Sequence, residues 1–123
     1  MGHTNERDLV RRPCVAYLRR MLELEQLKRY HSVYWSCPPD LGKQRPWVAA
    51  QMVLDGYSKG DFDMVIIGYD SEVVKVWLIE FKYGKNGYTK EQKAIAESCE
   101  GTPVEAVKIY SVDEFQSFLR DNL

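Results

Sequence analysis

Three charged residues lie at the ends of two apolar runs and have the types and spacing to do chemistry. Asp63 directly precedes the run 64–69, and Glu80 and Lys82 lie at the end of the run 73–81. Because side chains of a strand alternate between its faces, Glu80 and Lys82 project to the same side. If the two runs pair as an antiparallel hairpin, the start of the first lies beside the end of the second. The pattern therefore predicts that Asp63 and Glu80 meet.

Two carboxylates at one strand end repel each other unless a positive charge lies between them, and hard oxygen ligands suit Mg²⁺ or Mn²⁺. Such an ion can lower the pKa of a bound water and neutralise charge that builds on a phosphate during in-line displacement. Lys82 would orient the water or stabilise the pentavalent state. A second interpretation stays open, in which Asp63 and Lys82 are solvated charges and Glu80 pairs with Lys82 on a strand edge.

The rest of the sequence predicts one α/β domain over residues 1–123, with helices around a mixed sheet that has the hairpin at its centre. Apolar residues recur at helical spacing from Asn5 to about Tyr30, and Pro13 interrupts this pattern, which predicts a kink or a break. The aromatic, β-branched segment "HSVYWSCP" is typical of a strand that ends at a turn. Pro46 can then open a second helix that reaches about Leu54.

The sequence after the hairpin predicts two further helices and one more strand. Asp70, Ser71 and Glu72 are turn residues of suitable length to join the two runs. Thr89 and Gln92 have the form of a capping box that opens a helix to about Cys99. The strand "VEAVKIY" follows, and a second capping box, at Ser111 and Glu114, opens a C-terminal helix.

Charge and composition limit the classes of function. The first 60 residues carry ten Lys and Arg against six Asp and Glu, and the remainder carries seven against twelve. This asymmetry favours a basic surface for a polyanion beside an acidic region for a cation. The three cysteines show no C-x-x-C spacing, which disfavours a disulfide framework or a zinc site. No apolar run approaches the ~20 residues that span a bilayer, so we expect no membrane contact and a cytoplasmic location.

The segment "KGDFDMVII…VWLIEFK", followed by "GYTKEQ", resembles the PD-(D/E)xK nuclease superfamily, and within it the VRR-NUC family. In that family an acidic residue opens a strand, E-x-K follows, and a helix begins near a Gln. The upstream "CPPDLGKQRPWVAAQMVLDGYSKG" and "NERDLVRRPCVAYLRR" are similar to its loop and helices, so the resemblance covers nearly the whole chain. Phe62 stands where the family motif has proline, while Asp63 keeps the acidic position.

The resemblance implies a restriction-endonuclease-like core and a set of site residues. Asp63 and Glu80 would bind Mg²⁺ or Mn²⁺ with the Phe81 carbonyl as a third ligand, and Lys82 would be the catalytic lysine. Gln92 would lie near the water or the scissile phosphate, or serve only in its capping box. The set is completed by Glu6, which matches a helical carboxylate facing the metal but also suits a helix N-terminus, and by Asp61 as an alternative ligand.

The function implied is metal-dependent hydrolysis of DNA phosphodiester bonds that leaves 5′-phosphate and 3′-hydroxyl ends. The basic residues placed to contact phosphates, or else simply solvated, are Arg11, Arg12, Lys59, Lys85 and Lys90. Small members of the family resemble Holliday-junction resolvases that act as homodimers, so branched DNA and a two-fold dimer are expected. Two alternatives are a flap, nicking or single-strand-directed nuclease with the same site, and a non-catalytic DNA-binding or assembly module.

Overall fold

A computed structural model describes residues 5–39, 44–57 and 61–123 as a mixed α/β fold. A π-helical segment, Glu6–Arg11, leads into the first of the α-helices. The α-helices are α1 (Arg12–Glu23), α2 (Pro46–Leu54), α3 (Lys90–Ser98) and α4 (Val112–Asn122), and the strands are β1 (Ser32–Ser36), β2 (Met64–Tyr69), β3 (Val74–Phe81) and β4 (Val104–Ile109). None of the described helices is long and apolar enough to cross a membrane.

The strands form a four-stranded sheet in the order β1-β2-β3-β4. The first three are antiparallel neighbours, and β4 pairs with β3 in parallel. A parallel neighbour requires a crossover connection, and α3 provides it. The prediction of an α/β fold, with a mixed sheet around a central hairpin flanked by helices, is confirmed.

The β2–β3 hairpin is closed by Asp70. Its carboxylate oxygen Oδ1 accepts the backbone N–H groups of Glu72 at 3.1 Å and Val73 at 3.0 Å. Its own N–H donates to the Val73 carbonyl at 3.0 Å. This turn sets the register that pairs Met64 with Ile79, so the residues just beyond the pair, Asp63 and Glu80, come together at the far end of the hairpin.

The first helical region is interrupted next to Pro13, as predicted, but it is shorter than the predicted range 5–30. It begins as the π-helical segment and changes to α-helix at Arg12, one residue before Pro13, which lacks the N–H that a regular helix interior would use. The helix ends at Glu23, and Glu25 has a φ of 55°, a left-handed conformation that stops propagation. The extension to Tyr30 was therefore wrong, because periodicity does not register this turn.

The hydrophobic core lies on one face of the sheet, between the strands and the helices at the two ends of the sequence. Alternate residues of β2 and β3 are fully buried there, and they pack with residues of the π-helical segment, α1 and α4. The opposite face carries the intervening, half-buried residues Val65, Ile67 and Leu78. Glu80 and Lys82 continue that second face, so the hairpin presents its charged residues away from the main core.

Helix α2 buries none of its residues, although its sequence, PWVAAQMVL, is apolar except for Gln51. Trp47 is 67% exposed and Leu54 is 80% exposed. A helix that is apolar on all sides is normally buried against another element. The exposed apolar side chains of α2 are therefore not covered by the described part of the chain.

We predict that Gly68→Ala destabilises the fold. A Cβ at Gly68 would lie 2.6 Å from Cδ2 of the Tyr30 ring, which packs over this point of β2 and also meets Trp77 edge-on. Overpacking of this kind costs about 1–3 kcal/mol. Urea unfolding should show that loss, whereas Gly87→Ala, which meets no atom within 4 Å, should change stability by less than about 0.5 kcal/mol. Equal stability of the two variants would contradict the packing assigned to Tyr30.

Candidate functional site

Asp63 and Glu80 meet at the end of the hairpin, as their spacing predicts. The backbone N–H of Asp63 donates to Glu80 Oε1 at 3.1 Å, and the N–H of Phe81 donates to Asp63 Oδ2 at 2.9 Å. Each carboxylate thus accepts a hydrogen bond from the backbone of the opposite strand, at the point where strand-to-strand pairing stops. The two side chains extend the hairpin by one reciprocal pair of bonds.

Lys82 lies beside this pair and is only 8% exposed. Its Nζ is 3.2 Å from Glu80 Oε2, and its backbone N–H donates to the Ile109 carbonyl at 2.9 Å. The parallel strand β4 therefore holds the backbone of the E-x-K segment while the side chain pairs with Glu80. An ammonium group buried this way has a fixed position, in contrast to a solvated lysine at a strand edge.

Gln92 lies in its capping box, which is one of its two predicted roles, and it also neighbours Glu80, while a place near the water or the scissile phosphate stays a prediction. Within the capping box of α3, its Oε1 accepts the Thr89 N–H at 3.1 Å and its own N–H donates to Thr89 Oγ1 at 3.2 Å. Its side chain also lies close enough to Glu80 to act against the rise in the pKa of that carboxyl. Because its carbonyl oxygen already accepts from Thr89, the amide NH₂ is the group available to donate to Glu80. The buried side chain of Gln92 therefore links the start of α3 to the carboxylates of Asp63 and Glu80.

Arg11 belongs to the site, which its sequence position did not reveal. Its guanidinium nitrogen is 3.7 Å from Asp63 Oδ1, and it also hydrogen-bonds the Cys37 thiol. Sequence reasoning placed Arg11 among the phosphate-contacting residues. Arg11 reaches Asp63 because the π-helical segment packs against β3, whose end lies beside Asp63. No spacing in the sequence indicates that contact.

The surroundings of Glu80 disfavour the charged form of its carboxyl group. Burial, and after it the charge of Asp63, raise the pKa of Glu80 to about 7, even though Gln92 and Lys82 act in the opposite direction. The ion pair with Lys82 at 3.2 Å would by itself lower this pKa, so desolvation and the second carboxylate outweigh it. A site that raises a carboxyl pKa in this way favours an additional positive charge.

Tyr88 borders the site from the loop before α3, and the sequence analysis missed it. Its ring packs edge-on against Phe62 at 5.6 Å, and the Lys108 ammonium lies over it at 4.7 Å. Burial, and after it the charge of Glu80, raise the pKa of Tyr88 to about 12. The phenol is therefore neutral near pH 7. Its position directly before the capping box was the available signal.

The donor atoms suit a hard divalent cation. Lys82 N–H points to β4, and the described residues contain no cis peptide bond, so the Phe81 carbonyl of the same peptide points the opposite way, toward the Asp63 side. Two carboxylates and this carbonyl supply only oxygen, which Mg²⁺ and Mn²⁺ prefer. Among the described residues, no three His, Cys, Asp or Glu side chains form a metal-binding group, so a cation here would rely on the pair, the carbonyl and water.

Glu6 and Asp61 are not brought into such a group with Asp63 and Glu80. Glu6 begins the π-helical segment and is half-buried, and Asp61 is half-buried two residues before Asp63. Their roles as ligands remain predictions.

The predicted DNA-contacting residues fall into two places. Arg12 lines, with Arg7, Arg11 and Arg19, a groove of about 400 Å³ along the π-helical segment and α1. Lys85 and Lys90 are exposed in the loop after β3 and at the start of α3, which also carries Gln92. The fifth residue of the set, Lys59, lies outside the described residues.

Comparison of the chain with protein-family models, with curated proteins and with solved structures gave no significant match.

We predict that Glu80 makes stability fall as pH rises from about 4.5 to about 7. In this interval folded Glu80 keeps a proton that the unfolded chain releases, so raising the pH favours unfolding by about 3 kcal/mol in total. Above pH 7 this contribution changes no further. Urea unfolding of the metal-free protein across pH 4–8 should show the fall, and Glu80→Gln should remove it.

Glu91→Gln provides the matched control, because Glu91 is an exposed carboxylate in the first turn of α3. It should keep the pH profile of the wild type. If Glu80→Gln and Glu91→Gln had the same profile as the wild type, the charge imbalance assigned to Glu80 would be wrong.

Proposed function

We propose that this protein is a metal-dependent nuclease that hydrolyses phosphodiester bonds of DNA. The observation that carries the proposal is the convergence of Asp63, Glu80 and Lys82 at the end of one hairpin, where burial and mutual repulsion raise the pKa of Glu80 to about 7. Carboxylates placed to receive a cation, with a buried ammonium beside them, are the groups that phosphodiester hydrolysis uses.

Each residue has a distinct role in this proposal. Asp63, Glu80 and the Phe81 carbonyl hold Mg²⁺ or Mn²⁺. When bound, the ion neutralises charge on the scissile phosphate and acidifies water. Lys82, held by Glu80 and by the β4 backbone, directs its ammonium at the attacking water or at charge developing on the phosphate. Gln92 fixes the orientation of Glu80 through its amide NH₂.

The order of these groups along the chain supports membership of the VRR-NUC family of PD-(D/E)xK nucleases. Asp63 directly precedes β2, Glu80 and Lys82 stand at and just beyond the end of β3, and Gln92 lies in the first turn of α3. This is the sequence of acidic residue, E-x-K and Gln-bearing helix on which the resemblance rests, and the fold places its members at one end of the hairpin.

DNA is the proposed substrate, and branched DNA the preferred form. The arginines of the α1 groove, with Lys85 and Lys90, supply positive charge on two sides of the hairpin end, as contacts to a phosphate backbone require. Cleavage would leave 5′-phosphate and 3′-hydroxyl ends. The described cysteines are all free thiols, which accords with action in the reducing cytoplasm.

A homodimer is proposed as the active form, with α2 at its two-fold interface. Symmetric cleavage of a junction needs two sites, and a second copy supplies the second. Helix α2 offers the exposed side chains of Trp47, Val53 and Leu54, the kind of apolar surface that a self-complementary interface covers.

We predict that cleavage of DNA requires both the metal and Lys82. Labelled four-way junction, flap and plain duplex DNA would be incubated with Mg²⁺, Mn²⁺ or EDTA. The wild type should nick the junction in symmetric pairs with a metal, and EDTA should abolish the nicks. Lys82→Ala should lower the rate by about 10²- to 10⁴-fold, while Lys28→Ala, an exposed lysine after α1, should leave it unchanged.

The other results separate the alternatives. Metal-dependent cuts in flaps or single strands alone would keep the nuclease and discard the junction preference. If folded wild-type protein cut none of the substrates, the nuclease proposal would fail and a DNA-binding or assembly module would replace it.

We predict that Leu54→Glu makes the protein monomeric, because a charge on α2 cannot be desolvated at low cost in an apolar interface. Light scattering after size exclusion at matched concentrations measures the mass. The control is Val73→Glu, which places the same charge at an exposed apolar position in the β2–β3 turn and should leave the dimer intact. A wild-type protein that is monomeric at high concentration would contradict the proposed dimer.

A further inference from the structure

Arg11 holds a position that its membership of the arginine groove does not explain. It is the last residue of the π-helical segment, and its side chain is 23% exposed. Its guanidinium lies 3.7 Å from Asp63 Oδ1 and also hydrogen-bonds Cys37. An arginine side chain that is fully solvated would make neither contact. The Arg11 side chain is therefore already bound beside the carboxylates of Asp63 and Glu80.

The contact places Arg11 where a metal ion would act. The other oxygen of the same carboxylate, Oδ2, accepts the Phe81 N–H at 2.9 Å, a bond that is part of the hairpin end itself. A divalent ion would therefore approach Asp63 through Oδ1, the oxygen that faces Arg11. Two cations on one oxygen repel each other, so the ion and the guanidinium cannot both keep their closest positions.

We infer that Arg11 is an exchangeable counter-ion, which neutralises Asp63 in the metal-free protein and is displaced by the divalent ion into the arginine groove, where it binds a phosphate of the substrate. This inference rests on the proposed metal-dependent nuclease. It adds an order of events. The divalent ion binds first, and its binding frees the Arg11 guanidinium to contact the DNA.

The groove gives the displaced side chain a destination without movement of the backbone. Arg11 lines it together with Arg7, Arg12 and Arg19, and the small residues Val15 and Ala16 form the remainder of its lining. Arginine has several rotatable bonds and presents a planar set of donors that match phosphate. In the observed conformation the side chain both contacts Asp63 and lines the groove, so a change at its end alone would pass the guanidinium from the carboxylate to a phosphate in the groove.

Two linked consequences follow from this exchange. Removing the guanidinium should make metal binding tighter, because the ion no longer has to displace it. In the intact protein, metal binding should strengthen DNA binding, and DNA should strengthen metal binding by the same factor, since coupling between two sites is reciprocal.

The first experiment measures the affinity for Mn²⁺ by calorimetry at pH 8 without DNA. Arg11→Gln should bind Mn²⁺ roughly 5- to 150-fold more tightly than the wild type, the range of ordinary site-to-site coupling. Arg12→Gln removes the same charge from the neighbouring position, where the side chain pairs with Asp8 at 3.9 Å, and should change the affinity by less than about threefold. Arg11→Lys keeps the charge and should stay closer to the wild type than Arg11→Gln does.

Each outcome of that titration decides a separate point. If the wild type binds Mn²⁺ and Arg11→Gln binds it no more tightly than Arg12→Gln does, the counter-ion role is overturned while the metal site stands. If neither the wild type nor any variant binds Mn²⁺, the proposed function and the inference fall together. A circular dichroism spectrum like that of the wild type shows that each variant is folded.

The second experiment measures duplex DNA binding by fluorescence anisotropy, with EDTA and with Mn²⁺, in proteins that carry Lys82→Ala to prevent cleavage. Adding Mn²⁺ should tighten DNA binding by a larger factor when Arg11 is present than when Arg11→Gln is combined with Lys82→Ala. The combination of Arg20→Gln with Lys82→Ala, which removes an exposed arginine of α1 that does not line the groove, should keep the full factor. An equal gain with and without Arg11 would overturn its transfer to the phosphate.

Discussion

The structure depends on the reciprocal pairing of two carboxylates with the backbone of the opposite strand at the end of one hairpin. Asp63 accepts the Phe81 N–H and Glu80 accepts the Asp63 N–H, so neither side chain can leave without exposing an unpaired backbone donor. These bonds hold the two acids together against their repulsion. The raised pKa of Glu80 reflects that constraint, because burial and the second charge are imposed on it by the strand pairing.

Three different parts of the fold compensate the charge of this pair. Lys82 comes from the same strand end and is held by its backbone bond to β4, Gln92 comes from the capping box of α3, and Arg11 comes from the π-helical segment. The site is thus assembled where helix starts and strand ends meet, and its geometry follows from the packing of the core on the other face of the sheet.

The structure agrees closely with the sequence-based predictions where interactions between residues near in sequence determine the conformation. The run 64–69 is the observed strand β2, the Asp70 turn closes the hairpin, and helices begin at both predicted N-caps, Thr89 and Ser111. The capping box is complete at Thr89 only, because the Glu114 carboxylate accepts the Tyr110 N–H and not the Ser111 N–H. The helix predicted to reach Tyr30 ends at Glu23, because a left-handed residue at Glu25 turns the chain while the apolar spacing continues. Periodicity reports which face is apolar, and it is insensitive to a turn that keeps the same face inward.

The sequence by itself determined the hairpin, the meeting of Asp63 with Glu80 and the side on which Lys82 projects, since strand alternation and turn length are local properties. The tertiary structure alone decided that Arg11 and Cys37 lie near Asp63, and that Tyr88 packs against Phe62 close enough to Glu80 to feel its charge. Those contacts join residues far apart in the chain. They exist because the core brings the π-helical segment and α3 to the same end of the sheet, which no spacing along the sequence encodes.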